Sequence, residues 1–173
     1  MPYDWSGLEA LVVDDDPDIR DLLADFLKER GLTVATAADG RAAVAGLERS
    51  GGRFGLVLTD INMPGADGFE VLRAARVVNA SAYVVVITGY ASIDSAVRAV
   101  RLGAYDYLAK PFTLGQIDVL LTGIAHRLTL ERENRALVAR AAAPPPSSLE
   151  ARLAAIERRL AILEARLPPS EMP

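Results

Sequence analysis

Short apolar runs alternate along this chain with segments whose apolar residues recur three and four positions apart. Runs of the first kind fall near 10–14, 32–36, 56–60, 83–88 and 105–110. The first of them is apolar throughout rather than at every second residue, which marks a strand covered on both faces. Segments of the second kind carry helical stripes: Ile19, Leu22, Leu23, Phe26 and Leu27; then Ala42, Ala43 and Leu47; then Phe69, Val71, Leu72 and Ala75. A fourth stripe places Ile93, Ala96, Val97 and Val100 inward. The punctuation agrees with this division. Asp16 precedes Pro17 and the first helix stops at Gly31, the usual placement of proline at a helix start and glycine past its end. Asp39 and Ser92 open later helices, Gly51-Gly52 and Gly103 close them, and Thr113 with Gln116 forms a capping box for a long last helix.

Alternating strands and helices imply a parallel sheet wrapped on both faces, with right-handed crossovers. The expected fold is α/β, a flavodoxin-like doubly wound sheet of five parallel strands spanning 1–127. An extended last helix and an Ala/Pro-rich linker, ending in Pro144-Pro145-Pro146, occupy 128–146. Over 147–167 the residues Leu149, Leu153, Ile156, Leu160, Leu163 and Leu167 alternate four and three apart, the seam of a separate coiled-coil helix. Ser147 with Glu150 reads as its capping box, and 168–173 form a tail after Pro168-Pro169. One helix of that length is marginal alone in water, so the seam is expected to meet another copy or a partner helix. Upstream, Asn134 is a candidate register-setting position in the extension of the last helix.

The parallel sheet gives the polar residues at strand ends their meaning. The first run ends in Asp14-Asp15-Asp16 and the third in Asp60, the fourth ends at Thr88 and the fifth at Lys110. Parallel strands deliver these ends to one edge, where open α/β sheets place their ligands. Oxygen ligands suit a hard cation such as Mg²⁺, which also coordinates phosphate. Carboxylates, a hydroxyl and an ammonium together make a phosphoryl-transfer site.

Composition removes most alternatives. With 173 residues and no cysteine, neither a disulfide frame nor a thiolate metal site is available. The single histidine, His126, excludes a histidine metal cluster and reads as a surface residue of the last helix. A net charge of -4 gives no nucleic-acid footprint. No signal peptide and no membrane-length apolar segment is evident, so a cytoplasmic protein is expected, with no membrane partner and no direct contact with nucleic acid.

Four motifs, Val12-Val13-Asp14-Asp15-Asp16, Thr59-Asp60-Ile61-Asn62-Met63-Pro64 with Asp67-Gly68, Ile87-Thr88-Gly89, and Asp106-Tyr107-Leu108-Ala109-Lys110-Pro111-Phe112, occur in that order. Together they resemble the receiver domain of two-component response regulators over about 8–127. The wording around Thr88-Gly89-Tyr90-Ala91 and Leu102-Gly103-Ala104 looks most like receivers of the nitrogen-regulation and photosynthesis-regulator subfamilies. The resemblance implies that Asp60 accepts a phosphoryl group from a sensor histidine kinase. It implies that Asp15 binds Mg²⁺ directly, that Asp14 helps through water, and that Asn62 offers its backbone carbonyl. Thr88 and Lys110 would hold the phosphoryl oxygens, Tyr107 would be the switch aromatic, and the Lys110-Pro111 bond would be cis. Output is then expected through oligomerisation or a protein partner, near the fourth and fifth helices and the tail.

Other readings remain beside this one. Asp16 is read as a helix cap, and Tyr90 as a shade over the phosphoryl site. A regulator acting on DNA through a partner is one alternative; the arginines of the tail are balanced by glutamates, which argues against direct binding. A Mg²⁺-dependent aspartyl phosphatase of the haloacid-dehalogenase type is another. Such enzymes carry a second Asp two residues after the nucleophile, where this chain has Asn62.

Overall fold

The structure, a computed structural model, describes residues 4–142, 153–154 and 156–158. Strands and helices alternate as β1 (Glu9–Val13), α1 (Pro17–Glu29), β2 (Thr33–Ala37), α2 (Gly40–Arg49) and β3 (Phe54–Thr59), continuing through α3 (Gly68–Val78), β4 (Tyr83–Thr88), α4 (Ile93–Arg101), β5 (Asp106–Ala109) and α5 (Leu114–Ala142). The strands form one parallel sheet in the order β2-β1-β3-β4-β5. This is the flavodoxin-like architecture expected from the apolar runs.

Strand position explains composition. β3 and β4 sit inside the sheet under helices on both faces, and every residue in them is buried. Their side chains alternate between two cores. Leu56, Leu58, Val85 and Ile87 join Leu23, Leu27, Ile117, Leu121 and Ile124 beneath α1 and α5. Val57, Val84 and Val86 join Leu47, Phe69, Leu72 and Ala99 beneath α2, α3 and α4. The edge strands β2 and β5 are only partly buried.

Helix starts follow the residues that cap them. The Asp16 side chain accepts from the amides of Asp18 and Ile19, with proline in the first turn. Asp67 and Glu70 form a reciprocal capping box at α3, and Ser92 and Ser95 form another at α4. Thr113 and Gln116 exchange the expected bonds ahead of α5.

The apolar stripes are corrected in three places. Leu22 and Ala42 are exposed. In α4 three of the four residues expected to face inward turn outward: Ile93 is 83% exposed, Val100 68%, and Val97 is exposed as well, while Ala96 is half-buried. Only Ala99 is buried in this helix. Periodicity finds the apolar stripe of a helix but does not say which side the sheet lies on. Here the small Ala99 lets α4 approach, and the Arg98 guanidinium lies 4.0 Å from the centre of the Phe69 ring.

Two compact units divide the chain, Met1–Thr129 and Leu130–Pro173. In the second, Leu130, Leu137 and Val138 are exposed on α5. Of the C-terminal seam, Leu153 and Ile156 are helical and exposed, whereas Leu149, Leu160, Leu163 and Leu167 lie outside the described residues. Among the described residues no helix is long and apolar enough to cross a membrane.

Candidate functional site

The sheet ladder carries the acids to one edge. Immediately after β1, the Asp14 amide donates to the Ala37 carbonyl at 3.3 Å; immediately after β3, the Asp60 amide donates to the Val13 carbonyl at 3.0 Å. The Lys110 amide donates to the Thr88 carbonyl at 2.8 Å, tying the ends of β4 and β5 in the same way. Backbone pairing, fixed by the apolar runs, thus sets which polar side chains meet.

The loop after β3 is held just as firmly. The Gly68 amide donates to the Ile61 carbonyl at 3.0 Å. A Cβ at Gly68 would stand 2.0 Å from the Asp60 carbonyl oxygen, so only glycine lets α3 start this close to the acid. The Arg20 guanidinium also fixes the loop after β1, donating to the Asp14 carbonyl at 2.9 Å.

Lys110 is the centre of the site. Its Nζ donates to Asp14 Oδ2 and to Asp60 Oδ2, each at 2.7 Å. Both acids are buried, so the ammonium faces two carboxylates largely out of water. Desolvation lifts the Asp14 carboxyl above the usual aspartate range, and the hydrogen bonds from Lys110 and the Asp16 amide oppose it only in part. Burial pulls the Lys110 ammonium down, but its bonds to the two carboxylates and their charges leave it net raised. Remaining acceptor capacity is used locally: Asp14 Oδ1 accepts from the Asp16 amide, and Asp60 Oδ1 from the amides of Ile61 and Asn62.

Asp14, Asp15 and Asp60 each place a carboxylate oxygen within 4.8 Å of the others, with Asp15 exposed. An all-oxygen, anionic donor set open to solvent on one side fits a hard divalent cation. Asp16 stands apart from it, its carboxylate spent on the cap of α1.

Thr88 is fully buried and its Oγ1 accepts from the Tyr90 amide at 3.2 Å. The Tyr90 side chain is exposed, and so is His126. Tyr107 is half-buried, and its hydroxyl lies 2.7 Å from Ser95 Oγ. Ser95 was not singled out by the sequence, although the Ser92/Ser95 spacing signals a helix start. Its second role, holding the tyrosine of β5, depends on packing between α4 and β5 that no local pattern reveals.

Comparison with known proteins bears directly on this constellation. The family of response regulator receiver domains matches residues 10–122. The chain belongs to that family. Among curated relatives, the transcriptional regulatory protein TcrA of Mycobacterium tuberculosis is 39% identical over 127 residues, covering 73% of this chain and 49% of TcrA. The C4-dicarboxylate transport regulator DctD of Pseudomonas aeruginosa is 40% identical, covering 79% of this chain and 29% of DctD. The nitrogen assimilation regulator NtrX of Azorhizobium caulinodans is 37% identical, covering 75% and 28%. The chain thus spans about half the length of these relatives or less. Among solved structures, the chemotaxis protein CheY4 of Vibrio cholerae is 32% identical with a TM-score of 0.61, covering 66% of this chain and 96% of CheY4. A response regulator from Burkholderia pseudomallei, solved with a phosphorylated aspartic acid and a calcium ion, is 29% identical with a TM-score of 0.61, covering 91% of this chain and 86% of its own. The receiver is homologous to those of two-component response regulators, consistent with a phosphoacceptor.

Proposed function

We propose that this receiver is phosphorylated on Asp60 by a sensor histidine kinase and signals through association rather than through its own DNA contacts. The observation that carries the reading is the Lys110 ammonium bridging Asp14 and Asp60 at 2.7 Å to each. A carboxylate is a weak nucleophile, and the phosphoryl donor is anionic. In the proposed transfer an Asp60 oxygen forms the new bond to phosphorus while the bond from phosphorus to the donor histidine nitrogen breaks, its electron pair leaving with the imidazole. Lys110 then follows the oxygens on which charge builds, and the Thr88 hydroxyl takes another. Asp14, Asp15, Asp60 and the Asn62 backbone carbonyl would hold Mg²⁺, which when bound offsets the repulsion between donor and acceptor and neutralises charge on the phosphoryl group.

The product adds about -1.5 to -2 charge at Asp60. Movement of the Thr88 hydroxyl towards it gives up the bond from the Tyr90 amide. Tyr107 turning inward in the space behind Thr88 gives up Ser95, and α4 loses a tether next to its own cap. The outward face of α4, with Ile93, Val97 and Val100, is the surface such a change would present. The Burkholderia structure with its phosphorylated aspartic acid and calcium ion supports this assignment by similarity. A cytoplasmic location follows from a kinase partner of this kind.

Incubation with an acyl phosphate and Mg²⁺, followed by intact-mass measurement, tests the reading. The wild-type chain gains one phosphoryl group and Asp60→Asn gains none. Steady turnover of a phosphate ester would instead favour an aspartyl phosphatase.

A further inference from the structure

The C-terminal seam carries more information than its apolar residues alone. Because a heptad steps by three from a to d and by four from d to a, the spacings assign Leu153, Leu160 and Leu167 to a and Leu149, Ile156 and Leu163 to d. Every e position is then a glutamate (Glu150, Glu157, Glu164) and every g position an arginine (Arg152, Arg159, Arg166). The described part of this segment is helical, with Leu153 52% and Ile156 55% exposed.

This charge pattern discriminates between orientations. In a parallel, in-register pair a g residue faces the e residue five positions on in its partner, so Arg152 meets Glu157 and Arg159 meets Glu164, twice over by symmetry. In an antiparallel pair g faces g and e faces e, which sets arginine against arginine and glutamate against glutamate. A partner of different sequence would have no need of a self-complementary edge. We infer that the segment 149–167 binds a second copy of this chain as a parallel, in-register coiled coil, bringing two receivers together at the same end. The inference deepens the association reading above and does not depend on phosphorylation.

The chain has no cysteine, so single cysteines report orientation cleanly. A disulfide needs Cα atoms within about 7 Å. Positions eighteen residues apart in one continuous helix would be separated by about 27 Å. Full-length Leu149→Cys, and separately Leu167→Cys, should each form an interchain disulfide dimer under mild oxidation. A cross-link found only when the two variants are mixed would establish the antiparallel arrangement and overturn the inference. Light-scattering mass of the unmodified chain is the second reading: a monomer at tens of micromolar overturns the inference even where phosphoryl capture at Asp60 succeeds. The charge assignment has its own check. Arg152→Glu with Arg159→Glu should abolish dimerisation, and adding Glu157→Arg with Glu164→Arg should restore it. A charge-reversed chain that dimerises as well as the wild type would show that the flanking charges do not choose the partner.

Discussion

Lys110 decides both the stability and the chemistry of the site, because its Nζ is the one cation paired with the carboxylates of Asp14 and Asp60 among the described residues. Lys110→Met should cost about 1.5–3 kcal/mol at neutral pH, the scale of hydrogen bonds to charged groups. Chemical denaturation measures it. The pH dependence follows from the directions of the two shifts. Asp14 is raised, chiefly by desolvation, so the folded chain holds that proton more tightly than the unfolded chain does. Its contribution is full below the ordinary aspartate value of about 4 and is lost as pH rises through the folded value. Lys110 is also raised, so its contribution is full below the ordinary lysine value of about 10.4 and is lost as pH climbs through its folded value. Stability curves of wild type and Lys110→Met should therefore converge at strongly alkaline pH. Curves that stay parallel from neutral to alkaline pH would show that the ion bridge is not what the substitution removes.

At the scale of elements, one junction positions the site and another joins it to a surface. Gly68 lets α3 begin against the backbone of Asp60, and a methyl group there meets the carbonyl oxygen at 2.0 Å. Gly68→Ala should destabilise the domain by roughly 1–3 kcal/mol, the range for overpacking, and should slow phosphoryl capture even where the domain remains folded. The bond between Tyr107 and Ser95 is the other junction. Ser95→Ala frees the tyrosine and weakens the α4 cap, so a phosphoryl mimic should shift the Tyr107 ring environment less than in wild type, as read by aromatic NMR signals. An unchanged response would detach Ser95 from the switch. These cases also show what could be read in advance. Leu11-Val12-Val13 and Leu56-Val57-Leu58 identify buried parallel strands, and parallel strands necessarily bring Asp14 and Asp60 to one edge. The outward face of α4 was not legible, because Ile93, Val97 and Val100 have the spacing of a core stripe while the sheet meets the opposite side through Ala99. Nor was Ser95, whose partner lies twelve residues away on another element.

The whole molecule joins a receiver unit to a second unit whose described residues keep Leu130, Leu137, Leu153 and Ile156 exposed. Exposed apolar residues are a liability in a chain meant to remain alone, and the e and g charges of 149–167 give Leu153 and Ile156 a self-complementary setting. Association of copies and phosphorylation are separable claims about separate units. The account as a whole depends on the second, which rests on carboxylates, a hydroxyl and an ammonium that reach one sheet edge from four strands. The most direct test is to locate the phosphoryl group after treatment with an acyl phosphate and Mg²⁺, reducing the acyl phosphate with borohydride and mapping the altered peptide by mass. The account predicts a single altered residue, Asp60. Modification at Asp14 or Asp15, with Asp60 intact, would contradict it.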